Sequence, residues 1–205
     1  FRSINGVAVQ AVAMTKASNL AHATMERVMA QNFDARGNDL EFGDYALDFD
    51  GTDDYVDTGN SFQTTFRSSF TISCWIMADD GQDGLQCVLG TQNSSENDCV
   101  RLEIDDDGKI RFHYEADGND ATAITSSAIF SNGATDWTHI VCVADNSQKE
   151  CLIYVNGESQ PVTGTGTNTS GVTFNDWTSA DELFIGSRDD DGSASRYFDG
   201  KIDEV

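Results

Sequence analysis

Proline is almost missing from this chain, one residue in 205, and basic residues are scarce. Proline and glycine together make 19 residues while 39% of the chain is hydrophobic, the composition of a globular protein and not of a disordered one. No run of 18 apolar residues occurs, so no segment reads as a membrane-crossing helix. Only 12 Lys and Arg stand against 35 Asp and Glu, a formal net charge of −23. So negative a surface repels nucleic-acid phosphate and anionic lipid, and neither nucleic acid nor membrane insertion is expected.

The cysteines also lack a pattern. Cys74, Cys87, Cys99, Cys142 and Cys151 form an odd set without a C-x-x-C spacing. Cys74 and Cys142 fall inside apolar alternating stretches and read as small buried hydrophobes. The pairs Cys142/Cys151 and Cys87/Cys99 flank hairpin loops and could oxidise if the strands align them.

What is abundant is aspartate, 26 of the 35 acids. Aspartate forms turns and is a hard-oxygen cation ligand, and a dispersed acidic surface also suits a salty medium. The densest stretch is "ALDFDGTDDYVDTG", Ala46 to Gly59. There Leu47, Phe49, Tyr55 and Val56 call for a core while Asp48, Asp50, Asp53, Asp54 and Asp57 lie between them. Cation binding, a solvated rim and plain acidic bias are the candidate reasons.

Residues 7 to about 33 differ from the rest. Alanine is dense, and Ala13, Ala17, Leu20, Ala21, Thr24 and Val28 recur at helical spacing. The pattern predicts a helical arm within residues 1–44, too small-sided to be stable alone and suited to docking or oligomerisation. From about Tyr45 the period becomes two, punctuated by Asp-Gly and Asn-Gly turns, which predicts an antiparallel sandwich or jelly roll over residues 45–205. "SFTISCWIM" places Phe70, Ile72, Cys74 and Ile76 on one face and Trp75 and Met77 on the other. "CVRLEIDDDGKIRFHYE" reads as a hairpin turning at Asp106–Lys109. Trp75 and Trp137 lie in strand patterns and are expected in the core.

"ALDFDGTDDYV", "FTISCWI", "WTHIVCV" followed by "LIYVNGE", "LFIGS" and "FDGKIDEV" occur in that order. Together they resemble the laminin G-like, concanavalin A-like lectin/glucanase superfamily. The resemblance implies a jelly roll of two antiparallel sheets, truncated after "IDEV", with a sheet edge left open unless something fills it. It also implies a calcium ion near the rim where the first strand lies beside the last. Asp50, Asp54 and Asp203 are the side-chain candidates and Gly51 a carbonyl donor. The bland alternative is that these carboxylates cap turns.

Glucanases of that superfamily carry Glu-x-Asp-x-x-Glu on one strand. Here Glu103 and Asp105 fit, but Gly108 stands where the third carboxylate belongs, so no enzyme activity is expected. An EF-hand reading of "EIDDDGKI" fails because its twelfth position is Tyr114, where a glutamate is needed. His22, His113 and His139 form no arrangement that order alone can argue, and His139 reads as a packed, hydrogen-bonded residue at the core edge. Asn93 and Asn168 sit in N-x-S/T sequons.

Sugar-binding modules stack an aromatic on the pyranose and hydrogen-bond the hydroxyls. The candidates for that role are Trp177, expected exposed in "FNDWTSAD", with Arg188, Asp189, Asp191 and Tyr197 in the loop "SRDDDGSASRY". The sequence therefore supports two readings. One is a non-catalytic extracellular or surface-exposed module that binds glycans or glycoproteins and is stabilised by calcium. The other is a structural assembly subunit, a virion decoration or filament protein, homo-oligomeric through its helical arm.

Overall fold

The computed structural model describes residues 46–93, 98–116, 119–148, 150–164, 177–178, 181–189 and 193–205. The expected helical arm lies outside the described residues. The remainder is an antiparallel two-sheet sandwich, as the period-two pattern predicts.

One sheet contains β1 (Leu47–Asp50), β3 (Phe70–Ala78), β8 (Thr138–Asp145), β9 (Glu150–Val155), β10 (Glu158–Ser159) and β15 (Asp199–Asp203). Its six strands run in the order β1-β15-β3-β8-β9-β10. The second sheet is built on β2 (Val56–Asp57), β4 (Gln86–Asn93), β5 (Asp98–Ile104), β6 (Ile110–Ala116), β7 (Asn119–Thr125), β11 (Val162–Thr163) and β12 (Phe184–Ile185). Its order is β11-β7-β6-β5-β4-β12-β2, and the short hairpin β13 (Arg188–Asp189) and β14 (Ala194–Ser195) completes nine strands beside β4. The last strand, β15, is not an edge: β1 and β3 flank it on both sides.

The core forms where alternate side chains of both sheets meet. Cys74, Ile76, Ile140, Cys142 and Ile153 come from the six-stranded sheet, and Val100, Leu102, Ile104, Phe112 and Tyr114 from the other. Phe70, Cys74 and Ile76 share the inner face, as the alternation predicts. Trp75 and Trp137 do not join them, which corrects the expectation of two core tryptophans. Both are half-buried, Trp75 on the opposite face of β3 where odd-numbered residues point outward. There its ring lies against His139, centroids 4.9 Å apart, and the Ser73 hydroxyl bonds His139 Nε2 at 2.9 Å.

The motif glycine Gly186 has a steric reason. Its φ is +80°, and an added Cβ would stand 2.2 Å from the Phe49 ring. Only a glycine lets β1's aromatic pack that closely while the backbone is left-handed.

All five cysteines are free and buried. Cys87 and Cys99 are separated along their hairpin, Cys87 opposite Glu103 and Cys99 opposite Gln92, so they cannot bridge. The hairpin at Asp106–Lys109 is present, and Asp105 Oδ1 accepts from the Asp107 and Lys109 amides at 3.1 and 2.9 Å. That carboxylate is committed to the turn.

Candidate functional site

The predicted rim acids separate into two groups. Asp50, Asp53 and Asp54 come together, each offering a carboxylate oxygen within 4.8 Å of the others. They also cap their own turn, with Asp50 Oδ1 accepting from Thr52 N at 2.9 Å and Asp54 Oδ2 from Asp50 N at 3.3 Å. Gly51 donates its amide to the Phe198 carbonyl at 3.1 Å. Asp203 is not part of the group. The antiparallel register places Asp50 opposite Asp199, and Asp203 lies four residues further along β15, roughly 13 Å away.

Asp199 is thus the acid that shares this rim. Burial pushes its pKa up, and Asp79, Asp83, Asp50 and Asp80 push in the same direction.

The expected sugar platform is also rearranged. Trp177 is fully buried, edge-on to Phe66 at 5.1 Å and stacked on Tyr114 at 5.5 Å. Its large apolar surface closes the sandwich, and its carbonyl takes the Arg67 Nε–H at 2.7 Å. Tyr197 is half-buried with its hydroxyl donating to the Ala194 carbonyl at 3.2 Å. Arg188 is buried as well. The Asp189 side chain and Asp191 lie outside the described residues.

What the sequence reading did not assemble is the outer face of the nine-stranded sheet. Because Val100, Leu102, Phe112 and Tyr114 point into the core, their neighbours Cys99, Arg101, Glu103, Arg111, His113 and Glu115 point away from it. The β5–β6 register sets these in rows: Arg101 opposite His113 and Glu103 opposite Arg111. From the other end of the chain the β13–β14 hairpin adds Arg188 and Arg196. Arg188 aligns with Gly90, and the Arg196 carbonyl accepts the Cys87 amide at 2.8 Å.

The result is a guanidinium cluster around one carboxylate. Arg196 Nη1 donates to Glu103 Oε1 at 2.7 Å, and Arg101 Nη1 stands 3.9 Å from the same oxygen. Glu103 is entirely buried, and its second oxygen has no hydrogen-bond partner among the described residues. The Arg111 Nε, Ser187 Oγ and Ser195 Oγ atoms are in the same position. Burial and the Glu103 charge raise the nearby Cys87 thiol, while Arg101, Arg188 and Arg196 oppose them. Gly90 makes room for the cluster: a Cβ there would press on Cys87 Sγ at 3.0 Å and on the Arg101 stem at 3.2 Å.

Chemically this face offers planar, multi-donor cations held in place by a buried carboxylate. Such groups match carboxylates and other planar or tetrahedral oxyanions, and their stems accept apolar contact. A signal for it existed in the sequence: Arg101, Glu103, Arg111, His113 and Glu115 alternate with apolar residues along one hairpin. Two of the four arginines, however, come from residues 188 and 196, which only the topology brings alongside.

A family model described as the concanavalin A-like lectin/glucanases superfamily matches residues 50–205. No curated protein sequence matches the chain. Among solved structures, the Ruminococcus gnavus IT-sialidase CBM40 bound to α2,6-sialyllactose is similar, with a TM-score of 0.60 at 16% identity over 76% of this chain and 85% of that one. A K499G mutant of the NanB sialidase from Streptococcus pneumoniae gives 0.58 at 16% identity, over 77% of this chain and 24% of that one. Domains LG4-5 of the mouse laminin α1 chain give 0.52 at 18% identity, over 77% of this chain and 39% of that one. At these identities the likeness is one of fold.

Proposed function

This chain belongs to the concanavalin A-like lectin/glucanases superfamily, and we propose that its sandwich is a non-catalytic carbohydrate-binding module that takes acidic glycans on the arginine-lined face. The observation that carries the reading is the distribution of charge. In a chain of net charge −23 with only 12 basic residues, Arg101, Arg111, Arg188 and Arg196 converge on one sheet face. Concentrating scarce cations around a buried Glu103 is costly unless an anion is met there. A sugar carboxylate is a planar anion of the right shape, and similar folds include modules solved with α2,3- and α2,6-sialyllactose.

The carboxylates work against hydrolysis. Glu103 is held by Arg196 and Asp105 by its turn, so neither is placed as a proton donor to a leaving group. An extracellular or surface-exposed setting belongs to the same proposal. So does a calcium ion at Asp50, Asp53 and Asp54, which supply three of the six to eight oxygens calcium takes, with Gly51 as a carbonyl source.

The test is calorimetric titration of the chain with sialyllactose, a uronic-acid oligosaccharide and neutral lactose. Binding of an acidic sugar but not of lactose, lost in Arg111→Ala and Arg188→Ala, supports the reading. Equal binding of lactose, or acidic-sugar binding that survives both substitutions, overturns it.

A further inference from the structure

A second site lies on the same face, one row beyond Arg101. Cys99, the second residue of β5, lies directly opposite Glu115, and His113 lies two residues back on β6 with its side chain on the same side. One ligand atom from each, the thiol sulfur, a ring nitrogen and a carboxylate oxygen, falls within 4.8 Å of the others. The Cys99 Sγ to Glu115 Oε2 distance is 3.7 Å, and His113 Nε2 to Glu115 Oε2 is 3.5 Å.

These separations are informative. A tetrahedral zinc ion with bonds of about 2.0–2.1 Å to nitrogen and oxygen and about 2.3 Å to sulfur sets its ligands roughly 3.3–3.6 Å apart. The two measured edges agree with that to about 0.2 Å. The imidazole is also oriented as a metal ligand requires: its Nδ1 is hydrogen-bonded to the Thr122 hydroxyl, which leaves Nε2 turned toward Glu115. Cys99 and His113 are buried, whereas the Glu115 side chain is 26% exposed, so Glu115 is the ligand that water reaches.

We propose that Cys99, His113 and Glu115 form a three-ligand site for a borderline-soft divalent cation of the zinc class, with water in the fourth position. The donor set excludes calcium and magnesium, which take oxygen ligands. On binding, the Cys99 thiol gives its proton to solvent, and thiolate, neutral imidazole and carboxylate share the dication. Burial holds the metal-free thiol protonated, while Arg101 beside it favours the thiolate. The site is independent of the glycan reading, because metal binding is measured without sugar.

Cobalt(II) added to the reduced, metal-stripped chain is the direct probe. The expected result is one equivalent bound with a near-ultraviolet sulfur-to-metal band, about one proton released, and competition by zinc. Cys99→Ser and His113→Gln each remove the band. If Cys99→Ser does not fold, Glu115→Gln at its partly exposed position weakens cobalt affinity by about 10-fold or more. Absence of the band in the native chain, its survival in Cys99→Ser, or unchanged affinity in Glu115→Gln overturns the proposal.

Discussion

Arg196 and Glu103 meet at 2.7 Å across 93 residues of chain, and the two ends of that bond are unequally buried. Glu103 is fully enclosed while the Arg196 side chain is 33% exposed. Removing the arginine takes away the hydrogen-bonded cation of a buried carboxylate and leaves it only Arg101 at 3.9 Å, whereas removing the carboxylate's charge leaves Arg196 within reach of water. Arg196→Met should therefore cost about 3 kcal/mol, the low end for breaking a buried pair because Arg196 is partly solvated. Glu103→Gln should cost less, and the double variant should recover much of the loss. Urea unfolding of the three variants checks the asymmetry; equal costs for the two single substitutions would contradict it.

His139 beside Trp75 is a built-in pH reporter. Burial lowers the imidazole's pKa, and Glu204 partly opposes this. The folded state then binds a proton less readily than the unfolded one, so the group's contribution is complete above the ordinary histidine pKa near 6.5 and is lost as pH falls through the lower folded value. Because the ring lies on Trp75, protonation should quench tryptophan fluorescence with a midpoint below 6.5. His139→Gln should abolish that step. A midpoint above the ordinary value would show the sign to be wrong.

At the acidic rim, calcium should raise the melting temperature of the chain over its value in chelator, by stabilising only the native state. Asp54→Asn should remove the rise and Asp203→Asn should keep it, since Asp203 lies at the other end of its strand. Asp199 gives an independent check. Its raised pKa means that its ionised form opposes folding, a penalty relieved as pH falls through the raised value toward the ordinary carboxylate range. Asp199→Asn should melt higher than the native chain in chelator at neutral pH, with the advantage gone at acid pH.

Trp177 is a pillar of the sandwich, enclosed by Phe66 and Tyr114. Trp177→Ala should cost about 3–5 kcal/mol through the cavity it leaves. The denaturation midpoint should fall accordingly, and a variant with unchanged stability would return Trp177 to the surface.

The sandwich was legible because alternation and turn dipeptides are local. Phe70, Cys74 and Ile76 declare their face within one strand, and Gly186 marks a motif whose steric partner is Phe49. The site was less legible because it is made by register and crossover. Asp50 and Asp203 look like rim partners until the β1–β15 pairing sets Asp199, and not Asp203, opposite Asp50. Trp177, in a polar stretch with no apolar period, gives no sign that it turns inward. Arg188 and Arg196 read as loop residues, and nothing near them in sequence points to Glu103.

The cation cluster is an island in a field of opposite sign. An acidic sugar diffusing toward it first meets repulsion from the whole molecule and feels attraction only at close range. Shortening the Debye length to about 8 Å or less mutes the distant repulsion more than the contact itself. Association should then accelerate with added salt, the reverse of ordinary ion pairing. Under the proposed function this layout would favour the isolated charged tip of a glycan over a densely charged polymer, and moderate salt would widen that preference.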